Sequence, residues 1–152
     1  MSKIAVALGG NVGNTVVFFQ KAIEMLSENG VSNIVLSPFF HTAPVDCPPD
    51  TPDFVNAALI AQTTLTPQEL LKLCQKIEQA LGRPSQHGFH TSRTVDLDII
   101  TYENVILNTP ELTLPHPYAT QRQFVLSPLA AIAPDWLIYG RTVQYWLQQL
   151  DN

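Results

Sequence analysis

Residues 66–82 read TPQELLKLCQKIEQALG and carry the most complete helix signature in the chain. Thr66 and Glu69 form a capping box, in which each side chain satisfies the other's backbone N–H, and Pro67 falls at the first helical position, where its missing N–H costs nothing. Leu70, Leu73, Cys74, Ile77 and Leu81 recur at three- and four-residue spacing until Gly82 ends the run. Extended apolar stretches flank this helix, residues 53–63 before it and the alternating run TVDLDII at 94–100 after it. The N-terminal part repeats the order. Residues 3–8 read as a buried strand, and Asn14 can cap a helix with Phe18, Ala22, Met25 and Leu26 on one face. Gly30 closes that helix, and residues 33–45 read as a strand running into a proline-rich loop at 44–52. The order βαββαβ predicts an α+β fold, a ferredoxin-like sandwich with a mainly antiparallel sheet, as one domain over residues 1–152. Additional C-terminal elements follow: a turn at Glu103-Asn104, a short strand at 105–107, a loop at 115–117, a helix over 121–132 interrupted near Pro128, and a last helix after Thr142.

At 152 residues the chain is long enough to bury a core without staples. Cys47 and Cys74 have no metal-ligand or CxxC spacing. The N-terminal apolar run is too short for a secretory core, and no run approaches the roughly 18 residues of a membrane span. The expectation is a soluble, cytoplasmic protein with reduced thiols and no membrane partner. A net charge of −5 with eight lysines and arginines argues against nucleic acid, and an RNA-binding ferredoxin-like domain would also need an aromatic RNP-type strand that is absent. Three of the four arginines, Arg83, Arg93 and Arg122, fall within residues 83–122 together with His87, His90, His116, Asp96 and Asp98. Cations gathered so narrowly in an acidic chain suit a small anionic ligand.

The glycine-rich stretch ALGGNVGN at 7–14 fits neither a dinucleotide fingerprint nor a P-loop, and reads as a tight strand-to-helix turn where glycine permits positive φ. Asp96 and Asp98, two apart in a strand, project from one face while Val95, Leu97 and Ile99 face the core. The pair is either a solvated polar face or a magnesium site, since Mg²⁺ takes one or two carboxylates plus waters and substrate phosphates. A zinc site adding His87 and His90 is the weaker alternative, because their loop spacing fixes no geometry. His116, between two prolines, is either a surface loop residue or a ligand. Phe54 and Phe124 read on pattern alone as core. Asn56 stands in the apolar run 54–61, where a buried amide needs partners that a ligand heterocycle could supply.

Seven segments then coincide with a known family: LGGNVGN, SPFFHTAPV, PDFVNAAL, QKIEQALGR, SRTVDLDI, LTLPHP and RQFVLSPL, in order across residues 1 to about 136. The chain resembles 6-hydroxymethyl-7,8-dihydropterin pyrophosphokinases of folate synthesis, which transfer pyrophosphate from ATP to the pterin's hydroxymethyl oxygen and leave AMP. The resemblance implies that Asp96 and Asp98 hold two Mg²⁺ ions. Arg83, Arg93, His116 and Arg122 would contact the ATP phosphates, with Gln75 and Glu78 on the nucleotide side. Phe54 and Phe124 would enclose the pterin. Asn56, Thr42, Pro44 and Val45 would line its edge, with Gly9 letting the first strand approach it. Arg83, Arg93, Asp96 and Asp98 would form the catalytic set. The sequence does not fix the oligomeric state, for which a monomer is favoured.

The departures from the family pattern concentrate in the loop before the aspartates. Ser85 stands where a second arginine is usual, and His90-Thr91-Ser92-Arg93 replaces a Trp-Gly-Pro-Arg run; Gly10 stands where the first turn usually has Ser. The expectation is a slow but genuine enzyme whose rate rises as His90 gains a proton. The alternatives are a pterin- or nucleotide-binding paralogue with little turnover, or a related pyrophosphokinase with another substrate.

Overall fold

The computed structural model describes residues 1–11, 14–42, 53–82 and 95–150. Arg83, Arg93, Pro44 and Val45 lie outside the described residues, as do Cys47, Ser85, His87, His90, Thr91 and Ser92. The first seven elements are β1 (Ser2–Gly10), α1 (Thr15–Glu28), β2 (Val31–Leu36), β3 (Phe40–Thr42), β4 (Phe54–Thr63), α2 (Pro67–Ala80) and β5 (Asp96–Tyr102). The sheet runs β2-β4-β1-β5, with β3 also on β4, and every pairing is antiparallel. That is the ferredoxin-like α+β arrangement, with β1 central between strands that come from both halves of the chain.

Period-two alternation gives the sheet two buried faces. Ile4, Val6 and Leu8 of β1 join Phe19 and Leu26 of α1 and Leu70 and Ile77 of α2 in one cluster. Ala5, Ala7 and Ala58 turn to the opposite face, which is covered by two later helices, α3 (Gln123–Ile132) and α4 (Val143–Leu150). Small side chains on this second face let α3 lie close to β4. Two hairpins complete the C-terminal part: β6 (Leu107–Asn108) with β7 (Thr113–Leu114), and β8 (Leu137–Ile138) with β9 (Arg141–Thr142).

Several boundaries differ from expectation for identifiable reasons. The strand expected over 33–45 is two strands, β2 and β3. Ala58 N–H donates to Ser37 Oγ at 2.9 Å instead of to a ladder carbonyl, and Pro38 has no N–H to continue the pairing. In α1 the buried aromatic is Phe19, which packs 5.8 Å from the Phe39 ring, and Phe18 is only half-buried. Helix α3 continues through Pro128. The carbonyl deprived of a helix donor there belongs to Phe124 in the open first turn. The short strand falls at 107–108 and pairs with β7 instead of joining the main sheet. The β8–β9 hairpin was not foreseen; Tyr139 and Gly140 turn it with φ of 52° and 76°, the left-handed pair that a two-residue hairpin uses.

Candidate active site

The second face of the sheet changes character toward the C-terminal end of β1. Ala7 pairs with Ala58 on one side and Asp98 on the other, and Gly9 pairs with Asn56 and Asp96. The central strand thus carries almost no side chain where its neighbours carry an amide and two carboxylates. A cavity of about 530 Å³ opens there, lined among others by Gly9, Thr42, Phe54, Asn56, Asp96, Asp98, Arg122 and Phe124. Eleven of the site residues singled out in the sequence are among the described residues, and these eight of them meet around one space.

The glycine stretch owes its place to close approach. Gly9 and Gly10 lie within β1, and among the described glycines only Gly30, Gly82 and Gly140 have positive φ, so the positive-φ turn does not apply to these two. A Cβ on Gly9 would lie 3.2 Å from Asn56 Oδ1. Asn56 is 6% exposed, and its Nδ2 donates to Thr42 Oγ1 at 3.1 Å. Among the described residues its Oδ1 accepts no hydrogen bond, which leaves a buried amide acceptor on the cavity wall. Phe54 is half-buried, and Phe124 is 43% exposed and turns toward the cavity, so neither is the core residue its pattern suggested.

Asp96 is half-buried and Asp98 exposed, side by side on β5. Behind them, buried Glu78 accepts the Leu97 N–H at 2.8 Å. Its carboxylate therefore anchors the strand that carries the aspartates, and it lines neither cavity. Buried Cys74 lies in the same layer. Burial, with Glu78 and Asp98 adding to it, pushes its thiol up to about 12, which makes it an inert core thiol.

His116 and Arg122 come from the segment after β7. The His116 N–H donates to the Ile100 carbonyl at 2.9 Å, and His116 Nδ1 accepts the Tyr118 N–H at 3.2 Å. The neutral ring then carries its proton on Nε2. Burial lowers the His116 pKa; Asp98 opposes that effect and Arg122 adds to it. The Arg122 guanidinium carbon lies 5.4 Å from the Tyr118 ring centroid and 5.6 Å from that of Phe124. A second cavity, of about 240 Å³, adjoins Asp98 and is lined by His116, Leu71, Glu111, Leu112 and Thr113 among others. Asp98 faces both cavities. Gln75 is exposed on α2 and lines neither; Leu71, one turn earlier, does. The sequence reading missed Leu71, Glu111, Leu112 and Thr113, whose proximity depends on the β6–β7 hairpin folding back toward α2.

Among the described residues no three His, Cys, Asp or Glu side chains gather as a metal cage, and the zinc alternative depends on His87 and His90, which lie outside the described residues. Two adjacent carboxylates at a cavity suit magnesium, which completes its shell with water and substrate phosphate oxygens. Among the described residues no helix is long and apolar enough to cross a membrane.

A model of the 7,8-dihydro-6-hydroxymethylpterin-pyrophosphokinase (HPPK) family matches residues 5–134. The chain is 38% identical over 152 residues to a 2-amino-4-hydroxy-6-hydroxymethyldihydropteridine pyrophosphokinase of Methylorubrum extorquens, covering 99% of this chain and 95% of that one. It is 37% identical over 134 residues to the Bacillus subtilis protein of the same name, covering 87% and 79% of the two. The folic acid synthesis protein fol1 of Schizosaccharomyces pombe is 36% identical over 99% of this chain, which spans only 20% of that longer protein. In the solved structure of Plasmodium falciparum HPPK-DHPS with pteroate, the matching region superposes with a TM-score of 0.74 at 13% identity, over 97% of this chain and 42% of that one, a likeness of fold. By its sequence along nearly its whole length, the chain belongs to the 7,8-dihydro-6-hydroxymethylpterin-pyrophosphokinase family.

Proposed function

We propose that this protein carries out its family's reaction, transfer of pyrophosphate from ATP to the hydroxymethyl oxygen of 6-hydroxymethyl-7,8-dihydropterin with release of AMP, where the two cavities meet at Asp98. The observation that carries this reading is the convergence of two phenyl rings, an open buried amide oxygen and two carboxylates on one cavity of about 530 Å³.

The larger cavity takes the pterin. Phe54 and Phe124 present aromatic surface to a flat heterocycle, and Asn56 Oδ1 accepts from an N–H on its edge, with Thr42 holding the amide in place. Gly9 lines its wall, and the family resemblance assigns Pro44 and Val45, outside the described residues, to the pterin as well. ATP enters from the smaller cavity, with Leu71 and Leu112 offering apolar surface to the base. His116 Nε2–H and the Arg122 guanidinium donate to phosphate oxygens, and the family resemblance assigns Arg83 and Arg93, outside the described residues, to the same task. Gln75 and Glu78 act at a remove, Glu78 through the strand it anchors.

Asp96 and Asp98 would hold Mg²⁺, two ions with ATP as co-substrate, which supplies charge neutralisation at the phosphates when bound. The side chains do the rest by alignment. The hydroxymethyl oxygen is brought in line with the β-phosphorus, and the cations offset the charge that develops as AMP leaves; no strong protein base is required.

The test is incubation of the purified protein with ATP, MgCl₂ and the hydroxymethyl dihydropterin, following both products. AMP and pterin diphosphate in equal amounts are expected. Formation of ADP would replace this reading with ordinary kinase chemistry, and tight pterin binding without AMP would replace it with the binding paralogue.

A further inference from the structure

We infer that Tyr118 is a positioning residue for the nucleotide side of the site, its ring holding Arg122 and His116 where their N–H groups face the phosphates. Tyr118 lines neither cavity and is 56% exposed, yet it touches both phosphate-side groups. Its ring centroid is 5.4 Å from the Arg122 guanidinium carbon. It meets the His116 ring edge-on, with centroids 6.2 Å apart and planes at 66°. Its backbone N–H donates to His116 Nδ1 at 3.2 Å. A single turn of 3₁₀ helix, Ala119–Gln121, then returns the chain so that Arg122 lies back beside the Tyr118 ring.

The type of contact matters. Among the described residues Arg122 forms no ion pair with a carboxylate, and its neighbours are the rings of Tyr118 and Phe124. A carboxylate partner would consume the guanidinium N–H donors and its charge before a phosphate arrived. Aromatic rings localise the cation while leaving its in-plane donors and its charge available. The backbone bond to His116 Nδ1 acts in the same sense, since it takes the lone pair and leaves Nε2–H as the free donor. No hydrogen bond of the Tyr118 hydroxyl exists among the described residues, which assigns the work to the ring.

This inference rests on the reading that Arg122 and His116 meet the phosphates. Its experiment is calorimetric titration of the full chain, wild type, Tyr118→Leu and Tyr118→Phe, with a non-hydrolysable ATP analogue plus MgCl₂, and separately with the pterin. AMP formation is measured in parallel. Tyr118→Leu should weaken nucleotide binding about three- to tenfold while pterin binding stays within about twofold, and Tyr118→Phe should restore the wild-type value. Circular dichroism checks the fold of each variant; the ring is more than half exposed, so its loss opens no core cavity. Unchanged nucleotide affinity in Tyr118→Leu overturns the inference. So does a Tyr118→Phe loss as large as that of Tyr118→Leu, or an equal loss for the pterin. A wild type that makes no AMP while Tyr118→Leu shows the nucleotide-specific loss overturns the proposed reaction and supports the role of Tyr118. A wild type that binds no nucleotide overturns both.

Discussion

Gly9 and Asn56 are cross-strand partners so close that a Cβ on Gly9 would lie 3.2 Å from Asn56 Oδ1. The bare glycine thus leaves room for what stands opposite it, a buried amide that lines the larger cavity. Gly9→Ala should displace that amide by a few tenths of an ångström with little effect on the strand, whose backbone is extended there. Pterin affinity should fall about tenfold and nucleotide affinity should hold, because a small misplacement of an orienting group is costly. Fluorescence titration with each ligand checks this; an equal loss for both would refute it.

Asp98 lines both cavities and Asp96 only the larger. Asp98→Asn and Asp96→Asn should each lower kcat by about 100-fold or more at saturating MgCl₂, since on the proposed reaction each weakens the hold on the Mg²⁺ that would offset phosphate charge. Pterin affinity measured without nucleotide should stay close to that of the wild type. AMP quantified by chromatography is the readout, and a loss under about tenfold for both variants would remove them from the machinery.

His116 should titrate, by NMR, below its ordinary value of 6.5, because burial lowers its pKa more than Asp98 raises it. The unfolded chain then holds the proton to higher pH than the folded one does. The stability this histidine contributes is full above 6.5 and is lost as pH falls through that value toward the folded pKa. Asp98→Asn should lower the folded pKa further and Arg122→Gln should raise it. Because the donor is the neutral ring, activity should not decline through His116 deprotonation between pH 6.5 and 8; a His116 that titrates above 6.5 would reverse this account.

Glu78 accepts the buried Leu97 N–H at 2.8 Å. Glu78→Ala leaves that donor unmet and should cost about 1–3 kcal/mol in urea denaturation, with Glu78→Gln, which keeps an acceptor, losing less. If Glu78 instead contacted nucleotide directly, stability would hold and ATP affinity alone would fall.

Features written in contiguous residues were legible. The box at Thr66 and Glu69 forms as read, with Glu69 N–H donating to Thr66 Oγ1 at 3.1 Å and Thr66 N–H to Glu69 Oε1 at 2.8 Å, because both bonds close within four residues. Asn14 caps α1 for the same local reason, its Oδ1 accepting the Val17 N–H at 3.4 Å. The paired aspartates were legible because strand alternation alone puts them on one face. The break between β2 and β3 was not, because the Ser37 hydroxyl that ends the ladder acts on Ala58, 21 residues away. Phe124 was misread as core for a related reason. It is one apolar residue of an amphipathic run, and only the packing of α3 against β4 decides that Leu126 goes inward while Phe124 faces the cavity.

Local chemistry in the chain determined the order of helices and strands, the carboxylate pair and the family to which its motifs belong. Tertiary structure decided the rest: that Asn56 stands opposite the bare Gly9, that Glu78 anchors β5, that Asp98 borders two cavities, and that an aromatic ring outside both holds Arg122. The first three are relations between residues far apart in sequence, set by strand register and by the packing of helices on the sheet; Tyr118 and Arg122 are only four residues apart, but that the ring lies outside both cavities depends on where the fold places those cavities.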